Sequence, residues 1–120
     1  MSEIIYLTDA AVITCIVDKD RSEAVLIAAR EMGATAAVVH TVRGWGIRER
    51  LGAWGVATET EKDSILFLVS SDQQELIAET IYRVADMDAP GRGVMFISPV
   101  DKVATYVPEA IRKKLDMSQE

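Results

Sequence analysis

Two short sequences could hold an anion. "RGWG" (residues 43–46) and "PGRG" (90–93) each place glycines two apart, beside arginines. Glycine lets successive backbone N–H groups turn toward one point, and Arg43, Arg48, Arg50 and Arg92 would add positive charge there. Taken singly, each motif fits a tight turn with positive φ as well as it fits a phosphate cradle. Catalytic chemistry has less support. His40, the single histidine, lies inside the apolar run "AVVHTV" with no serine or cysteine motif near it, and reads as a sheet-face or subunit-interface residue rather than a general base. Cys15 sits in "AVITCIV" and reads as a small buried hydrophobe. One histidine and one cysteine on separate strands do not make a metal site, and the carboxylates of "DMD" and "ETE" read as solvated loop charge. No enzyme and no metal are expected.

The elements that would position these residues repeat one plan. "AVITCIV" (11–17) is a short, partly β-branched strand. Asp20 and Glu23 then have the spacing of a capping box, opening a helix that stops at Gly33. "ATAAVVHTV" (34–42) is the second strand. After a long loop, "SILFLV" (64–69) is the third, followed by Asp72 and Glu75 at the same spacing and a helix whose apolar face is Ile77, Thr80, Ile81, Val84 and Ala85. "DMDAPGRG" (86–93) ends it, "VMFISPV" (94–100) is the fourth strand, and Pro108 starts a short C-terminal helix over 108–115. Two tandem βαβ halves predict one α+β domain over 1–120. It is the ferredoxin-like split βαβ fold (βαββαβ), an antiparallel sheet with both helices on one face. Residues 1–10 are an extension that either adds an edge strand or stays loose.

Two consequences follow for assembly. Strands 1, 3 and 4 are apolar at nearly every position, yet two helices cover only one sheet face. Another copy of the chain is the economical cover for the other, so an obligate homo-oligomer is expected. In this plan the second and fourth strands are the sheet edges, so the two glycine motifs should meet only across a subunit interface.

Bulk properties narrow the partners. The chain has 120 residues, 49% hydrophobic and 27% charged, with net charge −6. That profile suits a globular domain and argues against a nucleic-acid binder, which would show a basic stripe. No signal-peptide pattern and no run long enough for membrane insertion is present in the sequence, so a cytoplasmic location is expected. Both tryptophans, Trp45 and Trp54, fall in the glycine- and charge-rich loop, which is longer than a hairpin requires.

The order "VRGWG", "EKDSILFLV", "IYRVAD" and "PGRGVMFISPVDKV" resembles the PII signal-transduction family, the nitrogen-regulatory proteins, from about Val12 to Val107. The resemblance implies a homotrimer that binds ADP or ATP in clefts between subunits. It also implies that residues 44–62 form the T-loop, through which a target transporter, enzyme or regulator is controlled. Gly44 and Gly46 match the glycines opening that loop, Lys62 the lysine at its base that contacts 2-oxoglutarate, and Gly91 and Gly93 the glycines of the phosphate loop (87–93). The departures are as informative. Arg48 replaces a glutamine of the magnesium and 2-oxoglutarate site, Arg92 an aspartate, Val94 a lysine, Thr105 and Val107 two phosphate-gripping arginines, and Val38 an adenine-side threonine. The loop is shortened and lacks the tyrosine that is nucleotidylated. Magnesium–ATP with 2-oxoglutarate should therefore be recognised poorly or not at all. Arg48 and Arg92 could compensate for lost cations, leaving ADP, ATP or AMP without metal, or another small anion, as ligand.

Trp45, Arg50, Leu51 and Trp54 are the candidate partner-binding residues, and the large apolar groups of the loop, Trp45 and Trp54 with Ile47 and Leu51, have two competing uses. Either they pack in the trimer cleft and hold the loop down, or part of the set, Trp54 first, is displayed to a partner protein. The run "IRERLGAW" contains fair helix formers, which would suit a segment that docks and releases. The expected function is a PII-like sensor of a small anion. Its rival is an adaptor trimer that has lost ligand binding and acts only through the loop.

Overall fold

The structure is a computed structural model that describes residues 3–43, 61–106 and 108–111. Four long strands form one antiparallel sheet: β2 (Ala10–Asp18), β3 (Thr35–Arg43), β4 (Glu61–Ser70) and β5 (Gly93–Val100), in the order β3-β4-β2-β5. Helix α1 (Ser22–Glu31) joins β2 to β3, and α2 (Gln74–Val84) joins β4 to β5. This is the split βαβ arrangement, with β3 and β5 at the edges. The first strand, β1 (Tyr6–Leu7), pairs with β6 (Val103–Ala104) in a separate two-stranded ribbon. The N-terminal extension thus contributes a strand, though not to the main sheet. Lys102 lies over the Tyr6 ring, 5.3 Å from its centroid, and adds a cation–π contact to that ribbon. At the far end, Glu109–Ile111 are helical, and the rest of the expected C-terminal helix lies outside the described residues.

Period-two alternation decides which side of the sheet is core. Ala11, Ile13, Cys15 and Val17 of β2 and Ile65, Phe67 and Val69 of β4 are buried, facing Val25 and Ala29 of α1 and Ile77, Ala78 and Ile81 of α2. Burying each large aliphatic or aromatic side chain contributes about 1.5–3 kcal/mol. The alternate positions, Val12, Ile16, Leu66 and Leu68, are only half-buried, and Phe96 is 54% exposed. Register puts Phe96 opposite Thr14 and Leu66 opposite both Thr14 and Val38, so these residues share the face that the helices leave open. The sheet therefore has one closed face and one apolar open face within a single chain.

The helix ends depart from the sequence reading at their starts and follow it at their stops. Neither capping box forms. Asp20 lies in a 3-10 turn (Lys19–Arg21) that leads directly into α1, and the N-cap positions are Arg21 and Gln73, without side-chain capping bonds. Asp72 instead accepts a hydrogen bond from Ser70 Oγ at 2.7 Å, a local contact that competes with capping. The stop of α1 is as expected. Gly33 has φ +96°, its N–H donates to Arg30 O, and the Ala34 N–H donates to Ala29 O, which together make a Schellman motif.

Candidate functional site

Strand direction brings four element ends to one end of the sheet. β2 ends at Asp18, β3 ends at Arg43, β4 begins at Glu61 and β5 begins at Gly93. Asp18 is the cross-strand partner of Lys62, and Val17 that of Gly93. The 86–92 connection closes over this end through a turn. Pro90 and Gly91 occupy its two central positions, Gly91 has φ +76°, and the Arg92 N–H reaches Ala89 O at 3.4 Å, the arrangement of a type II turn.

Lys62 is the centre of the cluster. Only 3% exposed, it donates from Nζ to Asp18 Oδ1 and to the Gly91 carbonyl, the latter at 2.8 Å. Arg92 Nη1 donates to the other carboxylate oxygen, Asp18 Oδ2, at 3.3 Å. One carboxylate is thus shared by two cations, one buried and one half-exposed. A buried ammonium without a partner would be strongly unfavourable, and Asp18 supplies that partner. The neighbouring Asp63, also buried, points to the other face and accepts from Thr41 Oγ1 at 3.0 Å. Further out, Lys19 and Glu61 form an exposed pair at 3.2 Å.

The glycines have distinct structural reasons. Gly91 has the positive φ of its turn. At Gly93 the constraint is space: a Cβ there would sit 2.5 Å from the Ile16 carbonyl oxygen, so only glycine lets β5 begin so close to β2. Both fit the turn-and-approach reading of "PGRG", and both also shape the loop that carries Arg92.

Of the residues singled out from sequence, Lys62, Gly91, Arg92 and Gly93 come together here. Gly44, Trp45, Gly46, Arg48, Arg50, Leu51 and Trp54 lie outside the described residues. The expected meeting of "RGWG" with "PGRG" across a subunit interface falls on Gly44 and Gly46, outside the described residues; within the single chain, Lys62 reaches the Gly91 carbonyl. The reason is that β4 is an inner strand and continues two residues into the region read as loop, so its first side chains reach over β2 toward β5. Asp18 was missed. In "IVDKD" it reads as the start of a turn, and only the register with β4 shows it opposite Lys62. His40 is an exposed residue on the open face, opposite Ser64. Among the described residues, no group of three or more His, Cys, Asp or Glu side chains could hold a metal. Cys15 is wholly buried, and desolvation pushes its thiol up to about 12.

The family model of the nitrogen regulatory protein P-II matches residues 10–110. The chain belongs to the P-II family. Among solved structures, Arabidopsis thaliana PII bound to citrate is similar, with a TM-score of 0.61, 26% identity, and coverage of 78% of this chain and 79% of that one. A functionally unknown protein from Pediococcus pentosaceus shares the fold, with a TM-score of 0.62 over 83% of this chain and all of that one, at 9% identity. No curated protein sequence matches the chain. The P-II match spans every strand of the main sheet and both helices, and includes Asp18, Lys62 and Arg92.

Proposed function

We propose that this P-II family member is a regulator without catalytic activity. It senses a small anion at the Lys62–Gly91–Arg92 end of the sheet and controls a partner protein through residues 44–62. The observation that carries the reading is the bond from Lys62 to the Gly91 carbonyl. It ties the base of the long segment to the loop bearing Arg92, so a ligand that moved one would be felt by the other. Gly44, Gly46 and Arg48 would complete the site from the start of that segment, and Gly93 would set how closely the loop approaches. Trp45, Arg50, Leu51 and Trp54 would meet the partner, a transporter, enzyme or regulator of the kind the family controls. The ligand class is an adenine nucleotide (ADP, ATP or AMP) or a small carboxylate; the citrate on the Arabidopsis relative favours the second possibility for related sites. No metal is required in this reading, because arginines stand where the family uses other groups. A homotrimer supplies the cover for the open apolar face, and a cytoplasmic location goes with it. Among the described residues, no helix is long and apolar enough to cross a membrane.

The test is calorimetric titration with ADP, ATP, AMP and citrate, each with and without magnesium, while tryptophan fluorescence is followed. Both tryptophans lie in the 44–62 segment. Binding with a fluorescence change supports a sensor coupled to that segment. Silence in a folded oligomer favours the adaptor reading, which draws on Asp18 already neutralising charge at the site.

A further inference from the structure

The Asp18 carboxylate occupies the position an incoming anion would need. Both of its oxygens are engaged, one by Lys62 Nζ and one by Arg92 Nη1, and Lys62 also donates to the Gly91 carbonyl. Val94, the next residue on this face of β5, brings no charge of its own. Lys62, Arg92 and Asp18 therefore sum to a single positive charge. A ligand carboxylate or phosphate approaching Lys62 meets a cation whose partner is already in place, with a negative charge beside it.

We propose that Asp18 is an internal counter-ion that determines which ligands this site accepts: a small carboxylate or phosphate binds by displacing Asp18 from Lys62 and Arg92. The inference rests on the anion-sensing reading and extends it. Displacement frees Asp18 at the end of β2 and transfers Lys62, at the base of the 44–62 segment, to the ligand. Asp18 thereby weakens every anion that must displace it, and makes occupancy detectable at the base of that segment.

The experiment compares the full-length protein with Asp18→Asn, which keeps shape and removes charge, and Asp18→Ala, which also leaves room for a ligand carboxylate. Each is titrated calorimetrically with citrate and with inorganic phosphate, and melted with and without them. The proposal expects both variants to melt lower than the parent in chloride, and to be raised by citrate more than the parent is. It expects citrate affinity at least about 10-fold tighter in both, equivalent to about 1.4 kcal/mol. A purely structural Asp18 would lower the melting temperature without tightening any anion. Equal or weaker citrate and phosphate binding by the variants, with binding retained by the parent, overturns the proposal and leaves the sensing reading standing. No binding by parent or variants overturns both. If Asp18→Ala does not fold, Asp18→Asn alone decides the matter. If neither variant folds even in the presence of citrate, the proposal is overturned, since the anion would then be unable to take the place of Asp18.

Discussion

The ion pair between Lys62 and Asp18 has a measurable signature at the level of single side chains. Replacing Lys62 leaves the Asp18 carboxylate desolvated with only the half-exposed Arg92 as partner, whereas replacing both removes the uncompensated charge. Lys62→Met is expected to destabilise the chain by about 2–4 kcal/mol in denaturant unfolding, and adding Asp18→Asn to recover a large part of that loss. Strict additivity in the double-mutant cycle would contradict the shared-carboxylate geometry. Cys15 makes a second prediction. The unfolded thiol ionises near 9, while the folded one keeps its proton to about 12. Below pH 9 both states hold the proton, so the contribution to stability is constant. Between 9 and 12 only the unfolded state releases it, and stability falls by up to about 1.4 kcal/mol per pH unit. The difference in stability between parent and Cys15→Ala should shrink across that window. The burial of Cys15 was legible in its apolar run, because strand periodicity is local. The pairing of Asp18 was not, because its partner lies forty-four positions away in sequence and is selected by register alone.

Helix ends and strand starts show which local rules prevailed. The Asp20–Glu23 and Asp72–Glu75 spacings suggested capping boxes that a 3-10 turn and a Ser70–Asp72 contact displaced. The α2 stop hides the same motif that Gly33 announces at α1. Asp86 takes φ +54°, the Asp86 N–H donates to Arg83 O, and the Met87 N–H donates to Tyr82 O, with no glycine to mark the spot. Asp86→Gly should therefore stabilise the protein by about 0.5–1 kcal/mol, less the small loss of the exposed Arg21–Asp86 pair, as read from the melting temperature. Gly93→Ala should act oppositely. The added carbon meets backbone and not a flexible side chain, so β5 must shift away from β2, at about 2–3 kcal/mol in denaturant unfolding.

At the scale of the molecule, the strand order was readable because each half of the chain contains its own strand–helix–strand pattern, and such halves combine in few ways. The open face was readable for the same reason, since three strands were apolar where two helices could not cover them. In the homotrimer proposed above, another copy of the chain covers that face. Phe96→Glu puts a charge on the open face beside Thr14, its cross-strand partner, in line with Leu66 one strand further on. It should leave the helix-side core intact while shifting the mass measured by light scattering from oligomer to monomer. An unchanged mass would remove this face from the assembly.

Arg43 and Glu61 are directly paired partners on β3 and β4. The two ends of the intervening stretch are therefore fixed one strand spacing apart, whatever sequence connects them. For a flexible connection, closing the ring costs only about 0.6 kcal/mol more for each doubling of its length. The scaffold thus works as a clamp with an exchangeable cassette. That stretch could be lengthened, shortened or rewritten while the sheet that holds it stays the same.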